Sequence, residues 1–292
     1  MAAGLLSRLP LRGRLTGRAA ALLDELDASQ WWGWERIATA QARRLRRFLV
    51  DVGHHHPPLR DRFAEAGFRP ELVASAASLA ALPPAGPPEV NPDGRPEADC
   101  EAWQRAVRWR ARGWWGVGPG DPVLPLAGDG DRLDATLDAL LGSRPPRAVA
   151  ADGGTLLSLA RRAAERRLTP AEVPLRALFV PLASLDEEGR REVEATLAAP
   201  VALYLDLPEF GLIAHTCPEG GLHLCGDHLV VEVVKPATGR PMKAGKEGEV
   251  VVTDTTRRMD PLVRCRTALR GRLLPEPCIC GRGLPLVETP PA

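Results

Sequence analysis

Four side chains carry the most specific chemistry in the sequence: Cys217 and His223, with five residues between them, and Cys278 and Cys280, with one. Three thiols and an imidazole suit a tetrahedral zinc ion, because soft thiolates and a borderline imidazole match it, and four protein ligands close such a site structurally. Cys-x-Cys is a weaker knuckle than Cys-x2-Cys. On spacing alone, zinc and a set of small residues in Pro/Gly turns stand level, with Cys225, His215 and His228 as substitute ligands. Glu209, in LPEFG, is the one carboxylate just after a buried strand, where open α/β sheets place their ligands. Asp129 and Asp131 could bind a cation, or could be a solvated loop and helix start. No nucleophile elbow, Walker loop, HExxH helix or paired-carboxylate signature is present. Only Lys235, Lys243 and Lys246 offer amine chemistry; the other basic residues are arginines.

The elements that must position these groups read as follows. Apolar residues at Trp34, Ile37, Leu45, Phe48, Leu49 and Val52, with Gln41 the exception, predict an amphipathic helix. His54–Pro58 (HHHPP) reads as its solvated end, stopped by the prolines, rather than as a metal tract. Residues 83–100 form a turn-rich connector. A helix through Trp103, Ala106, Val107, Ala111 and Trp114 follows, closed by Gly116. Tryptophans 31–34 and 103–115 are expected in the core rather than in a base-stacking groove. Strands at 147–150, 175–181 and 201–205 alternate with helices at 155–168 and 185–197, the second with a Ser184/Glu187 capping box. That is βαβαβ, hence a parallel sheet flanked by helices. From 212 the runs HLVVEVV and GEVVVT predict an antiparallel β-subdomain. The expected organisation is 1–100 (helices and connector), 101–211 (α/β core) and 212–292 (β-subdomain with the metal set).

Composition narrows the function classes. With 38 basic against 37 acidic residues and a net charge of +1, nothing in the average charge favours nucleic acid or an anionic membrane. No run of 18 uncharged apolar residues occurs. Arg8, Arg12, Arg14 and Arg18 in an acid-free start could mark a leader, but a surface helix and a cytoplasmic protein are the expectation.

The run EFGLIAHTCPEGGLHLCGDHLVVEVVKPATGRPMKAGKEGEVVVTDTTRRMDPLVRCRTALRGRLLPEPCICGR (209–282) resembles the phenylacetate–CoA ligase branch of the adenylate-forming enzymes. The similarity extends upstream to 175–211, 103–128 and 54–84. The resemblance implies a large N-terminal domain of α/β layers with a β-subdomain. It also implies a structural zinc on Cys217, His223, Cys278 and Cys280, as some members carry.

The sequence departs from the family at its catalytic motifs. Where relatives carry a Ser/Thr/Gly-rich phosphate loop, the 83–100 connector has no serine or threonine. Of the aromatic-Gly-x-Thr-Glu motif over adenine and magnesium, LDLPE (205–209) keeps Glu209 and places Leu205, Asp206 and Pro208 at the other matching positions. In RTALRG, Leu269 stands where an aspartate would bind the ribose diol, and leucine accepts no hydrogen bond. None of the three lysines matches the acyl-adenylating lysine of the family's C-terminal domain. The leading expectation is a degenerate adenylation domain, weakly or not at all dependent on ATP and magnesium. It would act by binding a protein partner, such as an active ligase of the same family, or a small acyl or aryl ligand. The alternatives are a ligase completed by another chain, or a different module that recruited the β-subdomain for assembly, as a homo- or hetero-oligomer.

Overall fold

The computed structural model describes residues 15, 17–88, 97–127, 130–169 and 172–290. Its helices are α1 (Gly17–Ser29), α2 (Trp34–His55), α3 (Pro57–Glu65), α4 (Ala98–Gly113), α5 (Gly130–Leu140), α6 (Gly153–Glu165) and α7 (Glu187–Leu197). Ten strands form one sheet in the order β1-β2-β3-β4-β5-β6-β10-β9-β8-β7. They are β1 (Val123–Pro125), β2 (Ala148–Ala150), β3 (Ala177–Pro181), β4 (Val201–Leu207), β5 (Gly211–Thr216), β6 (Leu222–Leu224), β7 (Leu229–Val234), β8 (Gly248–Asp254), β9 (Cys265–Leu274) and β10 (Leu286–Glu288). Strands β1 to β4 are parallel and every later pairing is antiparallel. The mixed α/β class and the change from parallel to antiparallel texture are as the sequence implied.

Parallel strands buried on both faces must be apolar throughout, and Ala177–Val180 is buried residue by residue. Leu156, Leu159, Ala160 and Ala163 of α6 and Val193 and Leu197 of α7 close over β2–β4. The other end of the sheet is covered by α2, whose Leu45, Phe48, Leu49 and Val52 meet Phe63, Leu79, Leu82, Val230 and Val263.

Several local readings need correction. The prolines after His54–His56 do not merely stop α2: Pro57 occupies the first turn of α3, where its missing N–H costs nothing, and His56 Nδ1 accepts from Leu59 N–H at 3.3 Å. Helix α7 is capped by Asp186, which accepts from Gly189 N–H at 2.7 Å, while Ser184 accepts from Gly153 N–H at 3.0 Å and so ties α6 to the turn after β3. Trp103 and Trp114 are buried as expected, but Trp31 and Trp34 are 56% and 69% exposed. Gln41, the break in the apolar stripe of α2, faces inward and donates to the carbonyls of Gly226 and Leu229 (2.9 and 3.1 Å). Asp129 and residues 89–96 of the connector lie outside the described residues, as does the side chain of Asp131.

Candidate metal centre and ligand cavity

The four ligands named from spacing arrive from two turns and one strand. Cys217 follows β5 and opens a turn closed by Gly220 N–H to Cys217 O (2.9 Å); Cys278 opens another, closed by Gly281 N–H to Cys278 O (3.1 Å). Both turns read Cys-x-x-Gly, with φ of +81° at Gly220 and +79° at Gly281, a region that glycine enters without a Cβ penalty. Cys280 lies inside the second turn, and His223 is the centre of β6, between β5 and β10.

The candidate ligand atoms lie within 4.8 Å of one another. Cys217 Sγ is 3.7 Å from Cys278 Sγ, and Cys280 Sγ is 3.4 Å from His223 Nε2. Tetrahedral zinc, with bonds near 2.3 Å to sulfur and 2.0–2.1 Å to nitrogen, would hold such pairs about 3.8 and 3.5 Å apart. His223 Nδ1 is 3.1 Å from Leu284 O. A carbonyl only accepts, so Nδ1 carries the proton and the Nε2 lone pair faces the sulfurs. A Cβ on Gly221 would come within 2.8 Å of Cys278 Sγ, so glycine is what lets the strand approach. Among the described residues the cluster is these four; Cys225, His215 and His228 are not in it.

Burial pushes the Cys217 thiol up to about 12 and holds His223 down to about 4. Burial also raises Cys280, but hydrogen bonds from the Arg282 backbone and Cys278 outweigh it and leave that thiol below its usual range. A divalent cation would supply the positive charge that favours the thiolates here. With all four positions filled by protein, such an ion could staple but not activate a substrate. Ile37, Trp114 and Leu284 pack around the cluster, with the Trp114 ring edge-on to His223 at 5.0 Å. The Trp114 indole N–H donates to Gln30 at 2.5 Å, and Arg282 stacks 4.1 Å over the same ring.

Nearby, His228 is fully buried against Trp103, the rings 5.6 Å apart and 15° from parallel. Burial lowers its pKa to about 3; the Asp227 charge opposes this shift, and the Arg110 and Arg44 charges add to it. The unfolded value is about 6.5, so between these limits the unfolded chain binds a proton that the native state excludes. Stability therefore falls as pH drops from about 6.5 towards 3, at up to about 1.4 kcal/mol per pH unit for this one group. Urea midpoints measured from pH 7 to pH 4 should fall less steeply in His228→Leu than in the parent; equal slopes would refute the assignment.

The second feature is a cavity of about 1020 Å³ at the C-terminal ends of β3 and β4, walled by 181–184, 204–208, Gln104 and Arg108 of α4, and 268–270 of β9. Topology places it there: the turns after parallel strands diverge and leave a crevice. Glu209 is not among its walls; it sits in the turn after β4, and its carbonyl accepts from Arg257 at 2.9 Å. Asp206 reaches into the wall and accepts from Arg108 at 2.7 Å. Leu269 lines the cavity, and Ala268 beside it keeps φ at +60°. A chamber of about 70 Å³ shares Arg108 and Tyr204 with this cavity. Sequence reasoning missed both arginines of this region, having read the helix from its apolar residues alone, although α4 also buries Arg110.

Comparison with known proteins bears on the fold and the lineage. The chain is 30% identical to the phenylacetate-coenzyme A ligase of Thermus thermophilus over 56% of its own length, and 24% identical to that of Pseudomonas putida over 87%. The chain is similar to phenylacetate–CoA ligases over part of their length. It spans 37% of the Thermus ligase and 70% of the Pseudomonas one. Among solved structures it superposes on 2-hydroxyisobutyryl-CoA ligase in the postadenylation state with a TM-score of 0.74 and 19% identity, covering 89% of this chain and 68% of the ligase. An open conformation of the same ligase gives 0.70 at 19% identity, covering 84% and 72%. No protein-family model matches the chain. The fold is therefore that of the adenylate-forming ligases, matched in part, and no helix among the described residues is long and apolar enough to cross a membrane.

Proposed function

We propose that this chain is a ligand-binding adenylation fold that does not activate acids by itself, and that it carries a structural zinc on Cys217, His223, Cys278 and Cys280. The observation that supports the binding role is the large cavity at the strand ends, whose walls hold Leu269, at the position of the family motif's ribose-binding aspartate, and Asp206, which is paired with Arg108. Adenylation is positioning and charge stabilisation around phosphates. An ion pair satisfied internally and a leucine supply neither. What remains is a crevice with leucine, proline and tyrosine walls, suited to a small acyl or aryl acid.

ATP–pyrophosphate exchange by the pure chain, over a panel of aryl and short-chain acids, tests this. Exchange at background with every acid is expected, together with a rise in Tm on adding a binding acid, because a ligand held only by the folded form stabilises it. Clear exchange would overturn the reading. A ligase completed by another chain is the competing account, and it predicts exchange only when the missing partner is co-expressed. A role in the cytoplasm, bound to a ligase of the same family, is the setting we propose for such a protein.

A further inference from the structure

The smaller chamber beside the main cavity differs from it in chemistry. Its walls are mainly apolar, among them Trp115, Phe179, Leu203 and Leu212, yet Arg112 and His215 also line it. His215 is 3% exposed, and neither of its ring nitrogens has a partner. Arg112 makes no ion pair or side-chain hydrogen bond among the described residues; its guanidinium lies 5.0 Å from the Trp109 ring and 5.7 Å from that of Phe179. No carboxylate lines the chamber; the other charged wall residue is Arg108, already engaged by Asp206. A half-buried guanidinium and an unpartnered buried imidazole are costly unless something bonds to them. An apolar tail placed here would leave both unsatisfied.

We infer that the chamber is a carboxylate subsite, in which Arg112 and His215 receive the head of an aryl or acyl monocarboxylate whose apolar body lies in the main cavity. A guanidinium offers a carboxylate a planar fork of donors, and a neutral imidazole adds one more. The chamber's volume suits a group of a few heavy atoms, and the outer walls at Leu182, Leu205, Leu207 and Leu269 suit an apolar remainder. The acid would enter head first, with its reactive carboxylate buried away from the open cavity. This rests on the acid-binding reading above and gives it a direction: binding that shields a carboxylate rather than presenting it for activation.

Titration calorimetry with phenylacetate and its uncharged analogue phenylacetamide tests the subsite on the full chain. Phenylacetate should bind at least tenfold more tightly than phenylacetamide, and Arg112→Met should remove that preference while leaving the amide's affinity within about threefold. Removing an unpaired charge should also leave the Tm of the free protein unchanged or raised. Arg112→Lys keeps the charge without the fork, and an intermediate loss is expected for it. Should Arg112→Met bind phenylacetate as the parent does, or should acid and amide bind the parent equally, the subsite is wrong while acid binding in the main cavity stands. If no acid in the panel binds the parent at all, both readings fall.

Discussion

Cys217→Ser is expected to lose the metal and to lower the melting temperature by about 8–16 °C. Small structural zinc sites hold their ion with about 10–16 kcal/mol, and forfeiting even a third of that, about 4 kcal/mol, corresponds to such a fall at roughly 2–4 °C per kcal/mol. Serine keeps the shape of cysteine but offers a hard, poorly ionised oxygen, so the comparison isolates the ligand bond. Native protein should contain one equivalent of tightly held zinc by elemental analysis, and Cys280→Ser should behave like Cys217→Ser. Less than half an equivalent in the parent, with both variants melting within about a degree or two of it, would reduce these residues to small groups in turns. The cluster joins the turn after β5 to the turn between β9 and β10, so the variants should loosen both together, which amide exchange on residues 217–224 and 278–288 would register.

Glu232→Gln should be nearly as damaging for a different reason. Arg264 and Glu232 are both buried and meet in a two-pronged contact, Nε to Oε2 at 2.9 Å and Nη2 to Oε1 at 2.8 Å. Arg264 also donates to the carbonyls of Gly239 (3.0 Å) and Leu82, pinning the segment before the connector to β7 and β9. Burial holds Glu232 above its usual carboxylate range in spite of the guanidinium, the sign expected when desolvation outweighs attraction. Breaking one partner of such a pair costs about 3–5 kcal/mol, because the other charge stays buried and uncompensated. Replacing both, as Glu232→Leu with Arg264→Met, should recover part of that loss. A double variant no more stable than Glu232→Gln would mean that the arginine's bonds to the two carbonyls, and not the ion pair, carry the contact.

Much of this was legible in the chain, for identifiable reasons. Runs such as Leu229–Val234 and Gly248–Asp254 announce a hairpin because alternation and turn chemistry are local, and they pair in register, Val231 opposite Val252. The four metal-ligand candidates were legible because three thiols and an imidazole stand at Cys-x5-His and Cys-x-Cys spacing, donor types that suit one ion. Helix starts were harder: Ser184 and Asp186 are equally good caps two residues apart, and only the position of Gly153 decides between them. The inner chamber left no trace, since it joins Arg112 to His215 across about a hundred residues through the packing of α4 on β5, and no short motif encodes such a meeting.

Strand β10, only three residues long, lies between β6 and β9 and is the sole bridge between strands 1–6 and 7–9 of the described sheet. During synthesis those two sets can each pair as they emerge, but they cannot be zipped into one surface until Leu286–Glu288 clear the ribosome. A nascent chain would therefore wait as two half-sheets with raw edges at β6 and β9, and that interval is when it would most need a chaperone.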